Sequence, residues 1–301
     1  MERDRRRFPR VVDWAIAALK NELPTRFHIG TQRAGSSYIY NLLNSHPNVA
    51  LNAAQEVHFY TSMFERGVEW YCAGFPQEGV RIDTSPKYFM LGEMAAPRIR
   101  ETLPNPSDAL FVVVFRDPVD YLFSHFRLQL RQGYFDRNRD LYPKRSSSLV
   151  EFATLYPDYL ERARYAQTLK RQWLSRFARD QFKVIVFERF IRNEAEAMQE
   201  VLDFFGLPRA DLSAATSSQN KTLRHPALYA IRERVVKVPW LKNAIKRNRI
   251  FNRVYADHLT DRDASLTEEE RSSLAARLSD DVGELRELLD DPIDEWREFG
   301  H

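Results

Sequence analysis

Between Arg26 and Ile29 a short run of alternating polar and apolar residues gives way to Gly30-Thr31-Gln32-Arg33-Ala34-Gly35-Ser36-Ser37, after which apolar positions recur at Ile39, Leu42 and Leu43 until His46-Pro47. That succession predicts a strand over 26–29, a glycine-bearing loop, and a helix that begins at Ser36 and ends before the proline. The stretch 110–115, LFVVVF, is apolar at every position, as expected for a strand covered on both faces of a parallel sheet. It runs straight into Arg116-Asp117-Pro118. Leu169, Trp173 and Phe177 stand one turn apart and predict an amphipathic helix over 165–177. A further buried strand is expected over 183–187, then a helix to Phe205 closed by Gly206. Strands alternating with helices indicate an α/β fold, a doubly wound parallel sheet flanked by helices and P-loop-like at its first turn. In such a sheet ligands sit beyond the carboxyl ends of the strands, where both the Gly30 loop and Arg116 fall.

Composition changes this picture little. With 301 residues, 44% of them hydrophobic and 13% aromatic, the chain can bury a substantial core. It contains no internal repeat, low-complexity tract or Gly/Ser-rich linker, so a single domain over 1–301 is expected. Its margins would be a basic, helical extension at 1–24 and, over 221–301, a basic segment followed by acidic helices. No run approaches the roughly 18 apolar residues of a membrane span, and the Arg-rich N-terminal stretch lacks the continuous apolar core of a signal peptide. The single cysteine, Cys72, allows no internal disulfide and suits a reducing, cytoplasmic compartment, with the thiol buried as a small apolar group.

Charge changes it more. The net charge of +3 conceals a segregated C-terminal third: ten Lys/Arg against the single Glu233 from Lys221 to Arg253, then fifteen Asp/Glu against five Arg from Asp257 to Glu298. A basic block can steer anionic ligands such as a nucleotide, an acidic glycan or nucleic acid. It can equally be a solvated face answered by the acidic helices after it.

The Gly30 loop nearly spells the phosphate loop G-x-x-x-x-G-K-[ST], but Ser36 stands where the lysine belongs. Backbone N–H groups at the following helix start, with the Ser36 and Ser37 hydroxyls, can bind an oxyanion without metal, and Arg33 can offer it a planar fork. A plain structural turn is the alternative. A magnesium-dependent kinase would need the lysine and a strand-end acid. Asp117 and Glu188 could be nominated for the acid, but neither repairs the missing cation.

Several further stretches fall in the order expected of one family. The chain resembles the sulfotransferases that use 3′-phosphoadenosine 5′-phosphosulfate (PAPS), particularly the carbohydrate and heparan-sulfate-type branch and its bacterial relatives. Their K-x-G-T-T loop is represented by Arg33-Ala34-Gly35-Ser36-Ser37, the helix-ending His-Pro by His46-Pro47, and the K-E-x-H-F-F segment by Gln55-Glu56-Val57-His58-Phe59-Tyr60. Ser85-Pro86-Lys87-Tyr88-Phe89 matches T-P-x-Y-F, and Arg116, Pro118 and Ser124 match R-x-P-x-x-R-x-x-S. A strand ending at Glu188, the stretch from Phe204 to Leu207, and a polar segment around Asn220 agree as well. The resemblance spans roughly 26–298. Four family cations are altered: arginine replaces lysine at Arg33, and Gln55, Thr84 and Tyr121 stand where a charge is expected.

The resemblance implies a transferase that moves a sulfuryl group from PAPS to a hydroxyl, less readily an amine, of a carbohydrate or small metabolite, leaving adenosine 3′,5′-bisphosphate (PAP). PAPS has two anionic ends, and two oxyanion sites are on offer. Arg33, Ala34, Gly35, Ser36 and Ser37 would hold the phosphosulfate, Arg116 and Ser124 the 3′-phosphate, and Lys221 or Arg224 would close over the nucleotide. Catalysis would fall to Glu56 as base for the attacking hydroxyl, Arg33 as stabiliser of leaving charge, and His58 as orienting group or second base. Glu56 paired structurally with a cation, and His58 as a core histidine, are the rival readings. No metal is required, and neither nucleic acid nor a membrane span is expected. A non-catalytic polyanion- or nucleotide-binding protein on the same fold is the alternative, supported by Gln55, Thr84 and Tyr121.

Overall fold

The computed structural model describes residues 22–144, 146–212 and 266–300. Apart from 266–268, these belong to a unit made of Met1–Leu212 and Glu269–His301. Lys221 and Arg224, and with them the basic block, lie outside the described residues.

Five parallel strands form one sheet: β1 (Arg26–Gly30), β2 (Val49–Leu51), β3 (Val80–Thr84), β4 (Leu110–Phe115) and β5 (Phe182–Val186), in the order β2-β3-β1-β4-β5. The helices that matter for the site are α1 (Ser36–Asn44), α2 (Gly92–Thr102), α3 (Pro118–Arg131), α4 (Glu194–Phe204), α5 (Glu268–Ala276) and α6 (Ser279–Leu289). From β1 the chain winds toward β2 and β3; from β4 it winds the other way to β5. The winding reverses between β1 and β4, and the crevice at a reversal is where doubly wound sheets bind ligands.

The core explains why these segments pair. Every residue of β4 after Leu110 is buried. In register across β1, β4 and β5, Phe27 stacks on Phe111 at 5.3 Å between ring centroids, and Phe111 on Phe182 at 4.8 Å. Such pairs contribute about 0.5–1.5 kcal/mol each beyond the area they bury. Cys72 is buried and free, and burial pushes its thiol up to about 11, so it behaves as an apolar filler. Among the described residues no helix is long and apolar enough to cross a membrane.

Two expected elements differ in detail. The stretch expected as one amphipathic helix is an α-turn, Tyr165–Thr168, continued by a π-helical segment, Leu169–Leu174. Leu169, Trp173 and Phe177 are nonetheless all buried, and the Trp173 indole donates to the Phe89 carbonyl at 3.0 Å. The last strand begins and ends one residue earlier than expected. Phe187 opens a short helical turn, Phe187–Phe190, and its ring lies beneath the Arg116 guanidinium, 5.4 Å from the centroid.

Candidate active site at the strand ends

The loop after β1 is shaped by backbone that only small residues tolerate. Gly35 has φ 80°, and a Cβ there would lie 2.9 Å from the Phe187 ring. Gly30 has φ 148°, and a Cβ there would lie 2.6 Å from the Pro86 carbonyl oxygen. Arg33 takes φ 69° without that freedom, a conformation held by its surroundings. The loop is tied to β4 at Thr31, whose N–H and hydroxyl both donate to the Val114 carbonyl at 2.9 Å. Helix α1 then starts at Ser36 with its first N–H groups facing the loop, the standard arrangement for an oxyanion.

Arg33 and Arg116 converge on this loop from two elements. Arg33 Nε donates to Ser124 Oγ at 3.1 Å, and Arg116 Nη1 reaches the Arg33 carbonyl at 3.5 Å. Arg116 Nη2 also stands 3.5 Å from Asp120, forming a partly exposed ion pair. Its Nε is buried and has no partner among the described residues. A buried charged donor left over is costly unless a ligand satisfies it. The two groups of residues expected from the sequence to hold anions therefore adjoin, with Arg33 and Ser124 in contact between them.

The acids that a magnesium site would require are committed elsewhere. Asp117 caps α3, its Oδ1 accepting from the N–H groups of Val119 and Asp120 at 2.9 and 3.0 Å. Burial pushes its carboxyl up to about 7. Glu188 accepts from the Asp117 N–H and from the Trp296 indole, both at 3.0 Å. Arg271 on α5 joins Asp120 at 2.8 Å and Glu298 at 2.6 Å, and closes the arrangement from outside. Among the described residues no group of three or more His, Cys, Asp or Glu is placed to hold a metal ion.

Glu56 meets the loop. One cleft is lined by His28, Ser36, Ser37, Tyr40, Gln55, Glu56, Thr84 and Pro86, so the carboxylate proposed as base borders the two serines proposed as anion ligands. His58 Nε2 lies 3.4 Å from Glu56 Oε2, and its Nδ1 is buried with no partner among the described residues. Gln55 and His58 both have positive φ, 59° and 53°, so the backbone bends sharply on either side of Glu56.

What holds that bend was not visible in the sequence. Asp83, fully buried on β3, accepts from the hydroxyls of Tyr71, Tyr88 and Ser85. Ser85 Oγ in turn accepts the His58 N–H at 3.2 Å, and Tyr88 Oη accepts the Tyr60 N–H at 3.1 Å. A buried carboxylate thus clamps the chain on both sides of Phe59. A charged residue inside a strand was the available signal for Asp83, and a histidine in the strand just before the loop was the signal for His28.

The altered family cations have local explanations. Tyr121 is in the core, 5.9 Å from His125 and 5.8 Å from Tyr165 between ring centroids, where a guanidinium would be desolvated. Thr84 is buried, and its hydroxyl donates to the Gln55 carbonyl at 2.9 Å, fastening the two replaced positions to each other.

Comparison with known proteins places the chain in a family and a fold. Over 200 residues the chain is 30% identical to heparan sulfate glucosamine 3-O-sulfotransferase 5 of Homo sapiens, covering 63% of this chain and 55% of that one. It is 28% identical over 193 residues to heparan sulfate glucosamine 3-O-sulfotransferase 3A1 of Mus musculus, covering 62% and 47%. The chain thus spans about half the length of these curated relatives. Among solved structures, a sulfotransferase from Alicyclobacillus acidocaldarius shares the fold at a TM-score of 0.60 and 19% identity, covering 91% of this chain and 99% of that one. The sulfotransferase-domain family model matches residues 25–259, the span that holds the loop, both arginines and the Glu56 cleft, and the chain belongs to that family.

Proposed function

We propose that this protein transfers a sulfuryl group from PAPS to a hydroxyl of a carbohydrate. Three lines support the reading: family membership, two relatives named as 3-O-sulfotransferases of a glycan, and adjoining anion subsites at the sheet's reversal point. The observation that carries it is Glu56 lining one cleft with Ser36 and Ser37. A carboxylate beside an oxyanion loop is unfavourable unless it has a proton to take.

PAPS, when bound, would supply the sulfuryl group, whose bond to the 5′-phosphate breaks as the acceptor oxygen bonds to sulfur, so that PAP is the leaving group. The residues present fit such a donor: the α1 N-terminus with Ser36 and Ser37 for one anionic end, and Arg116, with its unmatched Nε, and Ser124 for the other. Arg33 is shared, so it holds the donor and offsets charge that develops on the leaving oxygen. Glu56 accepts the proton of the acceptor hydroxyl, and His58 orients its carboxylate across 3.4 Å. The scheme is written without a metal, with Asp117 serving as helix cap and Glu188 as anchor for the Asp117 N–H and the Trp296 indole.

Calorimetry with PAP tests the donor half. PAP binds without added magnesium and raises the melting temperature by mass action, whereas ATP with magnesium does much less. Strong stabilisation by ATP–magnesium with none by PAP would return the kinase reading. The proposal includes a cytoplasmic location, supported by the single cysteine and testable by cell fractionation.

A further inference from the structure

His28 sits in β1, two residues before Gly30, in register with Thr84 of β3, and its carbonyl accepts the Ser85 N–H at 3.1 Å. Its side chain is fully buried, and neither Nδ1 nor Nε2 makes a well-formed hydrogen bond among the described residues, the Gly30 backbone being a polar neighbour that acts on the ring without aligned geometry. A buried polar group without well-formed hydrogen bonds forfeits its hydration for little in return, so an imidazole held this way in a sheet interior calls for a reason. The surroundings supply one. His28 lines the same cleft as Ser36 and Ser37 at the α1 N-terminus and as Glu56. Burial pushes the ring's pKa down to about 4, although the charge of Glu56 and the Gly30 backbone act in the other direction. At neutral pH the ring is therefore uncharged, with one N–H donor and one lone pair. A neutral donor can serve an oxyanion without forming the full ion pair that would compromise Glu56 as a base.

We infer that His28 binds the sulfuryl end of the donor, its imidazole N–H donating to a sulfuryl oxygen from the sheet side of the loop. The inference rests on the PAPS reading above. It assigns recognition of the sulfuryl group itself to a residue distinct from those that hold the nucleotide phosphates. PAPS and PAP differ only in that group, so the two ligands separate the roles. His28 becomes a discriminator between donor and spent product.

The test is calorimetry of PAPS and of PAP, without acceptor, on the wild type, His28→Leu, His28→Asn and His28→Gln. The affinity ratio of PAPS to PAP should fall by about tenfold in His28→Leu, one hydrogen bond to a charged acceptor, while PAP affinity stays within about twofold. Asn or Gln, which replace one or the other ring nitrogen by an amide donor, should restore part of the ratio. An unchanged ratio in a folded His28→Leu overturns the inference, even if turnover falls, because the ring would then act through Glu56. Should His28→Leu fail to fold, the ring-nitrogen chemical shifts of His28 in isotope-labelled wild type decide: they move with PAPS beyond any change with PAP, or the inference is wrong. A wild type that binds neither ligand overturns the donor reading and His28's role together. Normal binding of both with an unchanged ratio overturns His28's role alone.

Discussion

Arg33 Nε donates to Ser124 Oγ across 3.1 Å, joining the loop after β1 to the helix after β4 side chain to side chain. The consequence is energetic coupling. The two ends of a bisphosphate nucleotide would be read by residues that touch each other, and neighbouring residues that share a partner are not additive.

A double-mutant cycle on PAP affinity measures that coupling. Arg33→Ala and Ser124→Ala should each weaken binding, and together should weaken it by less than their sum, with an interaction energy of about 0.5–3 kcal/mol. Strict additivity in calorimetry would mean that the contact does not matter for the nucleotide.

Asp83 supports a second expectation, on geometry rather than affinity. Asp83→Ala strands three buried hydroxyls, so chemical denaturation should show a loss of about 3 kcal/mol or more. Tyr88→Phe removes one of the three donors to Asp83 and the acceptor of the Tyr60 N–H, at a smaller cost of about 1–3 kcal/mol. It should lower kcat while leaving PAP affinity intact, since the Glu56–His58 bend relaxes and the anion loop does not. Unchanged kcat in Tyr88→Phe would make the clamp purely structural.

The buried cap Asp117 makes stability depend on pH in a direction that can be stated. Its folded-state pKa, about 7, stands above the ordinary 3.8. The folded protein thus holds this proton more tightly, and the group's contribution to stability declines as pH rises from about 4 to about 7, then levels. Asn keeps the capping oxygen but does not ionise. The stability of Asp117→Asn minus that of wild type, followed by denaturant titration, should rise across that window and be largest above pH 7. A difference independent of pH would show that burial does not perturb this carboxyl.

How much of this was legible in the sequence depended on whether a segment's role is local. The LFVVVF strand, the glycine loop and the helix from Ser36 declare themselves through unbroken apolar runs and periodicity, and all three are where the pattern puts them. β2 is only Val49–Leu51, too short to show a period, and β3 places Arg81 and Asp83 inside a strand. Asp83 is tolerated there because Tyr71, Ser85 and Tyr88 arrive from three places in the chain, a fact of tertiary packing that no spacing rule encodes. The π-helical stretch after Thr168 was hidden for the opposite reason: its buried residues satisfy an α-helical period equally well. Within the site, Glu56 and Arg116 stood out by resemblance and chemistry, while the contact between Arg33 and Ser124 needed coordinates, because each had been assigned to a different end of the nucleotide.

The most direct measurement is transfer of label from radiolabelled PAPS to a panel of heparan-type glycans, simple sugars and hydroxylated metabolites, by wild type and by Glu56→Gln. The variant keeps the shape and hydrogen bonding of the carboxylate but cannot take a proton. Wild type should label a carbohydrate hydroxyl, and Glu56→Gln should do so about 10²–10⁴-fold more slowly with PAP affinity nearly unchanged. A wild type that binds PAP but labels nothing, with Glu56→Gln indistinguishable from it, would contradict the account and leave a nucleotide-binding protein on a sulfotransferase fold.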